Sequence, residues 1–142
     1  MLTTLTTGVK FPMTAAPASL GITRLGQVCI NVHDIGRATA FYRDKLRLPF
    51  LFAAGPLAFF NCNGVRLMLS PPEKKEFDHP SSVLYFAVPD IKAAHRQLLA
   101  AGVHFEDEPH FLARMPDHDL WMTFFRDSEQ NLLALMSEVR AA

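Results

Sequence analysis

Val28-Cys29-Ile30-Asn31-Val32-His33-Asp34-Ile35 is echoed 56 residues further on by Leu84-Tyr85-Phe86-Ala87-Val88-Pro89-Asp90-Ile91. Each stretch is a run of β-forming apolar residues that closes on Val-x-Asp-Ile and leads into apolar positions at helical spacing. In the first copy these are Ile35, Ala38, Phe41, Tyr42 and Leu46; in the second, Ile91, Ala94, Leu98 and Leu99. The aspartate heading each run can accept from the free amides of a first helical turn, so Asp34 and Asp90 read as N-caps. Gly102 reads as a left-handed stop. A strand-then-helix unit that occurs twice is a duplication, and it sets the frame for everything else.

Further strands follow in both copies. Asn63-Gly64, between two apolar runs, has the composition of a two-residue type I′ turn, which places strands at 57–62 and 65–70 with another at 49–53. In the second copy strands are expected at 103–105, 111–115, 120–126 and 132–138, with turns at 116–119 and 127–131. The resulting expectation is an arm over residues 1–21 and one domain over 22–139. That domain is α+β, two βαβββ modules at 22–71 and 82–139 joined by a linker at 72–81.

The 142 residues fit one domain. Fourteen basic and fourteen acidic side chains give zero formal charge, against a nucleic-acid or polybasic membrane binder. Hydrophobic residues at 49% and charged residues at 20% are ordinary for a folded globule. No apolar run approaches the ~18 residues of a membrane span. The amino-terminal stretch lacks the charged and apolar segments of an export signal. Cys29 and Cys62 are too few for a disulfide framework, which fits a reducing cytoplasm.

Leu25-Gly26-Gln27-Val28, Val32-x-Asp34-Ile35, Ala40-Phe41-Tyr42-Arg43-Asp44-x-Leu46 and Gly64-Val65-Arg66-Leu67-Met68-Leu69 together resemble the vicinal-oxygen-chelate superfamily. That superfamily includes glyoxalases, extradiol dioxygenases, methylmalonyl-CoA epimerases, fosfomycin-modifying enzymes and bleomycin-resistance proteins. Phe125-Arg126-Asp127-Ser128-Glu129-Gln130-Asn131-Leu132 resembles its second signature, where members often read Phe-x-Asp-Pro-Asp-Gly-Asn. The resemblance spans about residues 22–139. It implies curved mixed sheets, each with one face on its helix and the other on a cavity, and it implies a homodimer.

Strand parity then divides the faces. Val28, Ile30 and Val32 suit the helix side, which leaves Gln27, Cys29 and Asn31 for the cavity. Pairing across Asn63-Gly64 sets Phe59 opposite Met68 and Asn61 opposite Arg66. Val83, Tyr85, Ala87, Leu132, Ala134 and Met136 face inward from the second module, as do Met122 and Phe124. The candidate ligand-binding residues are therefore Gln27, Cys29, Asn31, Phe59, Asn61, Arg66, Met68, Tyr85, Met122 and Phe124, with Trp121 as a stacking platform. Apolar walls with a few orienting polar groups are the composition of a small-molecule site.

The resemblance implies metal-ligand positions at Gln27, Met68, Val83 and Ala134. Only Gln27 offers an oxygen donor there, and a thioether is too soft to replace one for a hard divalent ion. No metal and no other cofactor is expected. His104, Glu106, Asp107, Glu108, His110, Asp117, His118 and Asp119 form a second dense set, read mainly as exposed turn residues. His110 and His118 are its general-base candidates. Cys29 would act as a nucleophile only with a stabilised thiolate. The expectation is a metal-independent small-molecule-binding protein anchored on Arg66. The alternative is an enzyme of the same superfamily, a lyase, isomerase or dioxygenase, using His110, His118 or an atypical metal cluster. A third reading is a structural duplication with a filled interior.

Overall fold

In the computed structural model, which describes residues 20–140, Asn63 and Gly64 take φ values of 50° and 94°, the two positive angles of a type I′ turn. The turn joins β3 (Leu57–Cys62) to β4 (Val65–Ser70) with Phe59 opposite Met68 and Asn61 opposite Arg66. β1 (Gln27–Asn31) runs parallel to β4, and β2 (Phe50–Ala54) closes the outer edge, giving the order β1-β4-β3-β2. The second module repeats this with β5 (Leu84–Ala87), β6 (His110–Arg114), β7 (Asp119–Arg126) and β8 (Leu132–Val139), in the order β5-β8-β7-β6. The result is a mixed α+β fold of two four-stranded sheets, neither closed into a barrel. The arm expected over 1–21 lies outside the described residues except for Leu20 and Gly21.

Both helices start as their sequences dictate. Asp34 accepts from the Arg37 amide at 3.0 Å ahead of α1 (Ile35–Ala40), and Asp90 from the Ala93 amide at 3.1 Å ahead of α2 (Ile91–Ala100). After α1 the chain makes a π turn over Phe41–Lys45, with the Leu46 amide donating to the Phe41 carbonyl at 3.1 Å. One strand expectation fails: 103–105 contributes a single bridge, Phe105 to Phe125. Gly102 turns the chain with φ of 85° and Val103 is drawn into the core, so too little backbone remains extended for a ladder.

Ile30, Tyr42, Phe60 and Leu69 of the first module and Phe125, Leu133 and Leu135 of the second belong to one buried cluster. The turn at 127–131 locks the modules together. The Tyr42 hydroxyl donates to Asp127 Oδ2 at 2.6 Å, and Asn131 Nδ2 donates to the Asn31 carbonyl at 2.9 Å. Glu129 accepts from the amides of His33 and Asp34 and from the Arg37 guanidinium. The second signature is therefore a structural clasp. Every buried side-chain nitrogen and oxygen among the described residues has a partner, as folded interiors require.

Candidate functional site

The first sheet carries its polar residues on the face away from α1. Register places Phe59, Asn61, Arg66 and Met68 together, and the parallel pairing of Gln27 with Arg66 and Cys29 with Met68 adds β1 to that face. Arg66 Nε donates to Gln27 Oε1 at 2.8 Å, and its guanidinium lies 5.7 Å from the centroid of the Phe59 ring. Phe52 stacks on Phe59 at 4.6 Å. Gln27 Nε2 points at Met68 Sδ at 3.7 Å. A hollow of about 530 Å³ opens at this end of the face, lined by Arg24, Gly26, Gln27, Leu51, Asn61, Gly64 and Arg66. Two guanidinium groups line it and no carboxylate does. Its chemistry is that of an anion site beside an aromatic wall.

Arg24 and Leu51 were not legible in the sequence. Arg24 Nη1 donates to the Gly64 carbonyl at 2.9 Å, a contact between residues 40 apart. Leu51 is the extra residue of a β-bulge, since Phe50 pairs with Phe60 and Phe52 with Phe59. Bulges re-aim side chains at sheet edges, and no residue type marks this one. Two predicted residues do other work. Asn31 Nδ2 donates to the Phe77 and His79 carbonyls, both at 3.0 Å, and so holds the linker. Cys29 stands on the same face, and desolvation pushes its thiol up from the ordinary value, away from nucleophilic use.

The second sheet offers an apolar face. Tyr85, Ala134 and Phe124 align across three strands, and Ala87, Met136 and Met122 beside them. The Tyr85 and Phe124 rings meet edge to face at 6.0 Å. Trp121 is a correction, because its parity with Thr123 and Phe125 puts it on the opposite, α2 side. There Lys92 Nζ lies 5.1 Å from its ring and Phe111 6.4 Å away.

The two histidines are not brought together. His110 opens β6 with Nδ1 at 2.9 Å from the Glu108 carbonyl, while His118 lies in the turn past the other end of that strand. The length of β6, five residues beginning with His110, sets them about 15 Å apart. His118 is not in an exposed turn as its neighbours suggested: it is 9% exposed. Asp117 at 2.7 Å and Glu138 at 3.8 Å enclose its ring. Arg140, then His118, hold the Asp117 carboxyl below its usual range. Neither histidine lines the hollow at Arg66.

A divalent ion does not fit the four positions the resemblance implies. Gln27 alone has an oxygen donor, that oxygen already accepts from Arg66, and a guanidinium at 2.8 Å repels a second cation. The acidic stretch is dispersed into local pairs: His104 with Glu106 at 3.0 Å, Asp107 with Thr123 at 2.7 Å, Arg114 with Asp119 at 2.8 Å. Among the described residues no three His, Cys, Asp or Glu side chains converge to hold a metal, and no helix is long and apolar enough to cross a membrane.

Comparison with known proteins agrees with this architecture. A member of the glyoxalase/bleomycin resistance protein/dioxygenase superfamily from Sphaerobacter thermophilus superposes with a TM-score of 0.71 at 22% identity, over 84% of this chain and all of that one. A virulence protein from Salmonella typhimurium gives 0.69 at 19% identity, over 83% and 98%. A lactoylglutathione lyase from Agrobacterium tumefaciens gives 0.66 at 19%, over 82% and 95%. At these identities the likeness is one of fold. No curated protein sequence matches. The profile of the Glyoxalase/Bleomycin resistance protein/Dioxygenase superfamily matches residues 24–135, and the chain belongs to that superfamily.

Proposed function

We propose that the chain is a metal-independent small-molecule-binding protein whose ligand is an anion with a planar or aromatic body, held on the inner face of the first sheet. The observation that carries this reading is the Arg66–Gln27 pair at 2.8 Å beside Arg24, in a hollow without a carboxylate. Gln27 fixes the guanidinium over Phe59 and leaves its outer nitrogens for a carboxylate or phosphate, in the two-pronged geometry that arginine favours. The Phe52–Phe59 stack supplies the apolar wall.

In this reading residues 22–139 are one domain, with modules at 22–71 and 82–139 around a 72–81 linker, working in the cytoplasm as a homodimer. Support for the dimer comes from the outer edge strands, where Phe52 is 45% and Phe111 48% exposed, an apolar surface that a second copy would cover. A thermal-shift screen with aromatic carboxylates and phosphates tests the ligand class, since a compound that binds only the folded state raises the midpoint. Hits are expected among the acids, with the shift abolished in Arg66→Met. Hits confined to neutral compounds, or hits that survive Arg66→Met unchanged, would overturn the assignment.

A further inference from the structure

A second cleft, of about 460 Å³, lies on the other side of the first sheet. It runs between the segment after α1, the β3–β4 turn, and the layer made by β5 and α2. Leu46, Leu48, Phe86 and Leu98 form its floor, Lys45 and Arg47 are its charged members, and no carboxylate lines it. Its volume falls within the range of small-molecule sites. Among the described residues neither Lys45 nor Arg47 has an ion-pair partner. The Lys45 ammonium rests 5.8 Å from the Phe41 ring centroid.

The backbone here is unusual in two ways. The π turn over Phe41–Lys45 delivers Lys45 and Leu46 to the cleft, and such turns concentrate at functional sites. Arg47 then takes φ of 59°, the left-handed conformation with which a helix is commonly stopped. The duplicated module makes the equivalent stop with Gly102, at φ of 85°. A side chain is strained in that conformation where glycine is not. Where the repeat uses glycine this module thus carries an arginine, and that arginine lines the cleft together with Lys45.

We propose that this cleft is a second binding site, for an amphipathic anion: a carboxylate with a medium-chain alkyl body. The body lies on the leucine and phenylalanine floor, and the carboxylate meets Lys45 and Arg47. A neutral apolar ligand would desolvate two cations without compensating them. A small hydrophilic anion would leave the floor uncovered.

The two cysteines tell the two faces of the sheet apart, because Cys62 lines this cleft and Cys29 stands on the opposite face with Met68. Decanoate is the probe and decanol its neutral counterpart. Iodoacetamide labelling of the full chain is followed at each cysteine by peptide mass spectrometry. At about ten times its Kd, decanoate should slow Cys62 labelling about tenfold, since only the empty fraction reacts. Cys29 should be unaffected and decanol should protect little. Calorimetry is independent of thiol reactivity, and Lys45→Met/Arg47→Gly should bind decanoate about tenfold more weakly, as expected for loss of the charged contacts. Glycine suits the backbone at 47, so circular dichroism should show this variant folded. Absence of decanoate binding, equal protection by decanol, unchanged binding in the double variant, or protection of Cys29 alone would overturn the proposal.

Discussion

Replacing Glu129 by Gln removes one charge from the clasp between the modules, and the structure sets both the size and the pH dependence of the loss. The Glu129 side chain is 1% exposed. Burial works against its charge, but bonds from Arg37, the Asp34 and His33 amides and Ser128 outweigh that and lower its pKa from 4.5 to about 2. A drop of that size corresponds to about 3 kcal/mol of folding free energy. Arg37 is 57% exposed, and screening of its share reduces the figure to about 2 kcal/mol. A carboxyl whose pKa is depressed on folding stabilises fully above its unfolded value of 4.5 and loses that contribution as pH falls toward 2. Urea unfolding of both proteins, followed by circular dichroism, should show wild type ahead by about 2 kcal/mol at neutral pH, with the gap closing to about 0.5 kcal/mol near pH 2. A gap that persists unchanged in acid would mean that packing, not charge, holds the turn. No gap at neutral pH would mean that the clasp contributes nothing.

Three further outcomes follow from the same contacts. Tyr42→Phe removes the 2.6 Å bond to buried Asp127 and should cost about 1.5 kcal/mol by urea unfolding; an unchanged midpoint would refute the importance of that bond. Gln130 has φ of 67°, so Gln130→Gly should raise stability by up to about 1 kcal/mol, and a lower melting temperature would refute the strain. Burial raises the Cys29 thiol, so its alkylation rate should climb at higher pH than that of a free cysteine; rapid labelling near neutrality would restore it as a nucleophile.

What the sequence revealed was what neighbouring residues or strict alternation determine. Asn63-Gly64 fixes a turn, the turn fixes a register, and the register places Phe59, Asn61, Arg66 and Met68 on one face. Asp34 and Asp90 cap helices for reasons contained within one turn. What stayed hidden depends on distant partners or on a single unmarked residue. The bulge at Leu51 is one residue in an apolar run, and Arg24 enters the hollow through a carbonyl 40 residues away. Parity also decided Trp121, whose proximity to a turn said nothing about which face it occupied. His118 looked exposed among charged neighbours, yet Asp117 beside it and Glu138 from β8, 20 residues away, enclose its ring. Arg47 gave no local sign of a left-handed stop, because that role is normally written with glycine.

We propose that the Arg66 guanidinium, fixed by Gln27, anchors the ligand without a metal ion. This anchoring is tested most directly by titrating the strongest acidic ligand from the thermal-shift screen into protein dialysed against chelator, and again after addition of zinc, nickel or manganese. Equal affinity in all cases, lost in Arg66→Met, is the predicted result. Binding that appears only with a divalent ion and survives Arg66→Met would contradict it.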